Sequence, residues 1–363
     1  MKLVFHFGQQ KAGSTALQNA LHENRGILAR HRVLYPSPKL PHTDHGALSR
    51  LVFEEERWPR QISKRERNNP GKVEHQAKII LRQVDEARRG RNYDTVVLSS
   101  EYFFRKLTPE NVTKISQLLV DGFDEVQFLC YIRHPAPRYL SSCLQRVRHA
   151  SRIPRPGGGR FRAVLESYAA ALPVSVRAHD PLALTDGDIT RDFISAALPE
   201  LEGVELRPSP RDNNASLSPE IASILQDYRF AVYPDEDDMV YRSANRLRDE
   251  LLRIAAEADL HRRAELKPAV ARYIEEQSAD ELAWLAAEYG VTFPGYEPAP
   301  EDAEMIDPKK LRWIQHVARM NGRTKATLTS RLLHEHVTSA VPRGSSIESF
   351  LGKLRRRLRA ALR

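Results

Sequence analysis

The chain has 363 residues, enough to bury a large core, and a net charge of +9, which favours anionic partners such as a nucleotide, an acidic glycan, nucleic acid or a lipid surface. The sequence has no apolar run of about eighteen residues and no long apolar leader before Gly8, so we expect neither a transmembrane helix nor a secretory signal, and we expect a cytoplasmic protein. Its two cysteines, Cys130 and Cys143, are too few for a disulfide framework and form no CxxC pair of the kind that binds zinc.

Four short apolar runs are expected to form strands, and helical patterns lie between them. The strand candidates are Lys2–Phe7, Thr95–Ser99, Val126–Ile132 and Val174–Ala178. The helix candidates are Ser14–Ala29, Lys72–Arg89 and Glu110–Leu119. The second and third strand candidates do not alternate strictly, as is typical of parallel strands covered by helices on both faces. This order predicts an α/β fold with a P-loop-like, doubly wound parallel sheet flanked by helices and followed by a helical C-terminal extension.

Three polar stretches indicate how the chain is divided. Residues 36–70 are charged and rich in Pro and His, and we expect a lid or insertion there. PRPGGG at 154–159 indicates a flexible loop, and PGYEPAPED at 294–302 indicates a linker. The predicted regions are an α/β domain at 1–225, a helical extension at 226–293, and a linker with a basic helical C-terminal region at 294–363.

The turn GQQKAGST at residues 8–15 joins the first predicted strand to the first predicted helix. Such a turn exposes backbone N–H groups and the positive end of a helix dipole, which suit a phosphate or sulfate. Lys11 adds a cation, Ser14 and Thr15 add hydroxyl donors, and the glycines allow close approach of the backbone. The lysine precedes Gly13, whereas the Walker A motif places it after the second glycine. The alternative is a glycine turn with a surface lysine.

A second candidate anion site follows the third strand, in IRHPAPRYLSS. Arg133 stands at the predicted end of the strand, Pro135 begins a helix, and Ser141 lies about two turns into that helix. Arginine offers a rigid fork to a phosphate and serine one further hydrogen bond. The carboxyl ends of parallel strands form one crevice, so we expect this segment to face the opening turn and SSEYFF, which contains Glu101.

Two segments resemble a known family. KAGSTALQ resembles the 5′-phosphosulfate-binding loop of sulfotransferases that use 3′-phosphoadenosine 5′-phosphosulfate (PAPS), and IRHPAPRYLSS resembles their 3′-phosphate-binding segment. VLSSEYF and the stretch from LTDGDITRDFISAAL to RDNNASLSPE are similar to parts of bacterial carbohydrate-type sulfotransferases. The resemblance covers roughly residues 1–225.

The resemblance implies transfer of a sulfuryl group from PAPS to a hydroxyl or amine of an acceptor, a carbohydrate or glycolipid being favoured. No metal is expected, because a sulfuryl group carries less negative charge than a terminal phosphoryl group. The resemblance implies that PAPS is bound by Lys11, Ala12, Gly13, Ser14, Thr15, Arg133, Ser141 and Arg211. Arg211 is the least direct of these, because RDNNASLS departs from the RKG motif of cytosolic small-molecule sulfotransferases, and a turn before a helix capped by Ser218 is the alternative.

An acceptor hydroxyl must lose a proton, so a base is needed beside Lys11 at the crevice. Glu101, in SSEYFF at the end of the second strand candidate, is the first candidate, and its alternative role is a structural carboxylate that pairs with Lys11 or caps a helix. His45, in the insertion, is the second candidate, and its alternative is an ordinary surface residue. His6, on the first strand, is interpreted as a packed core histidine.

The C-terminal segment SSIESFLGKLRRRLRAALR has the pattern of a basic amphipathic helix. It predicts a peripheral contact with the inner membrane surface, a contact with a partner, or docking on the protein itself. Two other functions stay open: a P-loop nucleotide kinase-like enzyme, and a non-catalytic nucleotide-binding or membrane-associated protein of the same fold. Nucleic-acid binding is not expected, because no recognised module accompanies the basic charge.

Overall fold

The structure, a computed structural model, describes residues 1–37, 43–207, 217–234, 236–304 and 306–340. The chain forms two compact units that interleave along the sequence. The first comprises Met1–Tyr139, Pro156–Ala215 and Pro268–Ile306, and the second comprises Leu140–Arg155, Ser216–Lys267 and Asp307–Arg363. The three regions predicted from composition, with boundaries at 225 and 293, stay a prediction.

The first unit contains one sheet of five parallel strands in the order β2-β3-β1-β4-β5. The strands are β1 Lys2–His6, β2 Val33–Leu34, β3 Thr95–Ser99, β4 Glu125–Ile132 and β5 Val174–Ala178. This confirms the predicted α/β fold with a doubly wound parallel sheet flanked by helices. β2 was not predicted from the sequence, because two residues are too few to show a periodic pattern.

Both faces of the sheet are covered by apolar side chains of the first unit. On one face Phe5 packs against Phe103 and Phe128, with ring centroids 4.9 Å and 5.2 Å away. On the other face Val4 packs in a cluster with Leu17. Neighbouring residues of β1 therefore both point into a core, which explains why these strands are almost continuously apolar.

Helices surround the sheet. The helices of the first unit are α1 Ser14–Glu23, α2 Arg25–Arg30, α3 Ser49–Val52, α4 Arg60–Asn68, α5 Lys72–Gly90, α6 Pro109–Ile115, α8 Arg162–Ala169, α9 Ile189–Ala197, α12 Pro268–Glu276 and α13 Ala279–Tyr289. Helix α7, Pro135–Arg146, has residues in both units. The helix predicted at Ser14–Ala29 is interrupted at Asn24, whose side chain donates to the carbonyl of Ala20 at 2.8 Å and so competes with the helical hydrogen bonds.

The second unit is helical in its described part. It contains α10 Pro219–Val232, α11 Arg242–Glu257, α14 Ile314–Val317 and α15 Gly322–Ala340. Gln226 joins three parts of this unit, since its side chain donates to the carbonyls of Ser151 and Arg312 and accepts from the N–H of Ile314. The basic amphipathic segment predicted at 345–363 lies outside the described residues. Among the residues that the structure describes, no helix is long and apolar enough to span a bilayer.

Candidate anion-binding site

The turn between β1 and α1 is an open loop at the carboxyl end of the central strand. The N–H groups of Phe7 and Gln9 donate to Leu129 and Tyr131 of β4 at 3.1 Å and 3.0 Å, so the chain follows β4 beyond the end of β1. Lys11 then adopts a left-handed conformation with φ of 71°. The loop therefore reverses direction sharply, and α1 begins with its N-terminus at this edge of the sheet.

Gly13 precedes α1 and is required to be glycine by two features. Its φ of 80° lies in the left-handed region, which is unfavourable for a residue with a Cβ. A Cβ at this position would also lie 2.5 Å from Cδ1 of Ile189 and 2.6 Å from Nε2 of His179. Because glycine has no side chain to cap the helix, the first N–H groups of α1 receive no side-chain cap from this position.

Arg133 lies against this turn. It directly follows β4, its main-chain N–H donates to Oε1 of Gln9 at 3.2 Å, and its Nη1 donates to the carbonyl of Lys11 at 3.2 Å. The two segments predicted to bind the two ends of one nucleotide therefore meet. The rule that the carboxyl ends of parallel strands form a single crevice holds for this pair.

Glu101 lies two residues beyond the end of β3, at the start of a short 3₁₀ turn at Glu101–Phe103. Burial raises the pKa of its carboxyl group, the positive charge of Lys11 opposes that rise, and the negative charge of Asp44 adds to it. Glu101 is thus within electrostatic reach of Lys11, as both of its predicted roles require. The raised pKa is the property expected of a proton acceptor that works near neutral pH.

His45 does not have the geometry of a base. Its Nδ1 accepts from the N–H of Ser99 at 2.9 Å and its Nε2 donates to the carbonyl of Pro36 at 2.8 Å, so both ring nitrogens have main-chain partners. The side chain is completely buried, and this burial lowers its pKa to about 4. The prediction that His45 takes a proton from the acceptor is therefore corrected: this histidine fastens the insertion to β3.

The remaining predicted residues differ in burial and in the unit to which they belong. Ala12 and Ser14 are buried, whereas Thr15 is exposed. Ser141 lies on α7, in the part that belongs to the second unit. Arg211 lies outside the described residues, as do its neighbours in the predicted segment.

Ser218 caps a helix, as the alternative interpretation of RDNNASLS predicted. Its hydroxyl accepts from the N–H of Ile221 at 3.3 Å and caps α10. The end of RDNNASLSPE is therefore a helix start.

His179 is a neighbour of the turn that the sequence analysis missed. It directly follows β5, and its N–H donates to the carbonyl of Ile132 at 2.7 Å. Burial and the positive charge of Arg133 lower the pKa of its ring to about 4. The sequence contained the signal for His179. Residues that follow parallel strands meet at one edge of the sheet, and His179 follows the fourth predicted strand as Arg133 follows the third.

Across the described ranges, no group of three or more His, Cys, Asp or Glu side chains could hold a metal ion.

No family model and no curated protein matches the chain. Among solved structures, the chain is similar to one described under the PezAT chromosomal toxin-antitoxin system of Streptococcus pneumoniae. The two share 12% sequence identity, the match covers 70% of this chain and 84% of that chain, and the TM-score is 0.21. A TM-score of this size carries no argument about function, so the candidate site rests on its own geometry.

Proposed function

We propose that the chain is a sulfotransferase that takes a sulfuryl group from PAPS. The observation that carries the proposal is the hydrogen bond from Nη1 of Arg133 to the carbonyl of Lys11, at 3.2 Å. It brings a guanidinium, an ammonium-bearing residue and the N-terminus of α1 to one edge of the sheet. Such a cluster suits a ligand that carries two separate anionic groups, as PAPS does.

The turn has the groups that sulfuryl transfer needs. In that reaction the bond between sulfur and the nucleotide phosphate oxygen breaks, a bond from sulfur to the acceptor oxygen forms, and the acceptor proton passes to a base. Negative charge grows on the leaving phosphate. Lys11, the first N–H groups of α1 and the hydroxyls of Ser14 and Thr15 would stabilise that charge.

Glu101 is the base in this proposal. Its pKa is raised by burial, so its carboxylate holds a proton more readily than an exposed carboxylate does. The rings of His45 and His179 both have pKa values lowered to about 4, which makes them weaker proton acceptors at neutral pH than free histidine. Glu101 also lies within electrostatic reach of Lys11, which would face the leaving phosphate.

A carbohydrate or glycolipid acceptor is proposed from the resemblance to bacterial carbohydrate-type sulfotransferases. The basic C-terminal segment could keep the enzyme at a membrane surface where such acceptors are assembled.

Calorimetry with two nucleotides tests the proposed donor. We expect adenosine 3′,5′-bisphosphate, the product of PAPS after transfer, to bind at least about tenfold more tightly than ATP with magnesium. The extra affinity comes from recognition of a phosphate on the ribose. Tighter binding of ATP with magnesium would contradict the proposal and favour a kinase-like enzyme.

A further inference from the structure

His6 is a buried histidine at the edge of the proposed anion site. It is the last residue of β1, paired in register with Ser99 of β3 and Leu129 of β4, and its side chain is completely buried. The ring packs edge-on against Tyr131 and Phe193, with centroids 5.8 Å and 6.1 Å away. These contacts fix the plane of the imidazole, so its two nitrogens point in fixed directions.

The hydrogen bonds around Ser99 are compatible with a ring proton on Nε2 of His6. Nδ1 of His6 lies 2.8 Å from the hydroxyl of Ser99, and that hydroxyl accepts from the amide nitrogen of Gln18 at 3.1 Å. Donation of the Ser99 hydroxyl hydrogen to Nδ1 would place the ring proton on Nε2. Burial lowers the pKa of His6 to about 3, so the ring stays neutral at physiological pH.

Nε2 of His6 and the hydroxyl of Ser14 border the same small space. A Cβ placed on Gly8 would lie 2.5 Å from this nitrogen and 3.3 Å from this oxygen. Both atoms are buried, and neither has a hydrogen-bond partner within the described part of the chain. A buried polar atom without a partner is unfavourable, and two of them at one turn indicate a role that begins when the turn is occupied.

We propose that His6 positions the hydroxyl of Ser14 for the bound anion. Nε2 of His6 donates to Oγ of Ser14, directly or through one water, and the hydroxyl hydrogen of Ser14 then points to the anion. The proposal rests on the proposed function of the turn as an anion site. It also gives Gly8 a reason to be glycine, because a side chain would fill the space through which the two atoms interact.

Two substitutions separate this role from packing. His6→Asn keeps an amide close to the place of Nδ1, where it can pair with Ser99, and removes the donor at Nε2. His6→Gln extends an amide donor toward the place of Nε2. We expect His6→Asn to weaken adenosine 3′,5′-bisphosphate binding about tenfold, the size of one hydrogen bond to a charged group, and His6→Gln to recover most of the loss.

A double-variant cycle tests whether the effect passes through Ser14. We expect the His6→Asn, Ser14→Ala double variant to bind no more weakly than Ser14→Ala alone. Thr15→Ala is the matched control, because Thr15 is the neighbouring hydroxyl but is exposed. In the Thr15→Ala background, His6→Asn should still weaken binding about tenfold. If the double variant loses affinity by the product of the two single-variant factors, the proposal is overturned.

Nuclear magnetic resonance of the ring nitrogens uses the wild-type protein, so it tests the role of His6 even if a substitution prevents folding. We expect the wild-type protein to show His6 protonated at Nε2 and this signal to move when adenosine 3′,5′-bisphosphate is added. A proton on Nδ1 instead, or His6→Asn binding as the wild type does, contradicts the role of His6. Wild-type protein that binds neither the bisphosphate nor ATP contradicts the proposed function, and the protonated nitrogen still reports on His6.

Discussion

Nη1 of Arg133 donates to the main-chain carbonyl of Lys11 at 3.2 Å, across 122 residues of sequence. Lys11 has a positive φ, and this conformation turns the loop before α1 begins. We propose two functions for Arg133: it supplies positive charge to the crevice, and this contact supports the shape of the turn that contains Lys11.

Arg133→Ala removes both functions. We expect adenosine 3′,5′-bisphosphate to bind at least about tenfold more weakly, because a charge-assisted contact is lost and the turn loses its support. Arg133→Lys keeps the charge without the planar fork, so its affinity for the bisphosphate should lie between those of the wild type and Arg133→Ala. Titration calorimetry measures the three affinities. Equal affinity in Arg133→Ala and the wild type would show that Arg133 takes no part in binding.

Gly13→Ala should destabilise the fold by about 2–4 kcal/mol, because the new Cβ would adopt a strained φ and press against Ile189 and His179. Gly26→Ala is the matched control, since Gly26 lies within α2 and a Cβ there meets nothing within 4 Å. Alanine at that position should raise stability by up to about 1 kcal/mol. Urea unfolding of both variants measures the difference, and similar stabilities would count against the tight turn.

Glu101→Gln and His45→Asn compare the two residues predicted as bases. Glu101→Gln keeps the shape of the side chain but removes the proton acceptor, so we expect kcat to fall about 100-fold with bisphosphate affinity within about threefold of the wild type. His45→Asn should lower the free energy of unfolding by about 2 kcal/mol, because the N–H of Ser99 or the carbonyl of Pro36 loses its partner. Its kcat should stay near the wild-type value. The reverse pattern would return the role of base to His45.

Acid should destabilise the folded chain through its buried histidines. Burial holds the pKa of His45 near 4 and that of His6 near 3, instead of the ordinary 6.5. Below about pH 6.5 the unfolded chain binds protons that the folded chain does not, so the free energy of unfolding falls as the pH is lowered from there toward 4. Each such ring contributes up to about 1.4 kcal/mol per pH unit.

Urea unfolding between about pH 7 and about pH 5 measures this slope. His45→Asn should reduce this slope by the contribution of one buried ring. A wild-type stability that is flat over this range would contradict the burial of these rings in their neutral form.

The sequence predicted those parts of the fold that are set by continuous apolar runs. β3 and β5 have the bounds expected from Thr95–Ser99 and Val174–Ala178, because buried parallel strands need apolar side chains on both faces. The approach of Arg133 to Lys11 was also expected, because both follow strands of one parallel sheet.

Features that depend on distant contacts could not be predicted in this way. Asn24 breaks the first helix partly through the main chain of Arg207, with which its side chain makes two hydrogen bonds. The burial of His45 depends on how the insertion folds onto β3. A histidine in a charged stretch has no sequence pattern that distinguishes a buried link from an exposed base.

Incubation of the wild-type protein and of Lys11→Ala with native polysaccharides and PAPS that carries a radioactive sulfuryl group tests the claim that the chain transfers this group. We expect label in an acceptor with the wild type, about 100-fold slower labelling with Lys11→Ala, and less than about 1 kcal/mol difference in folding stability between the two. Transfer of the terminal phosphate of ATP to the same acceptors, with no transfer from PAPS, would contradict the claim.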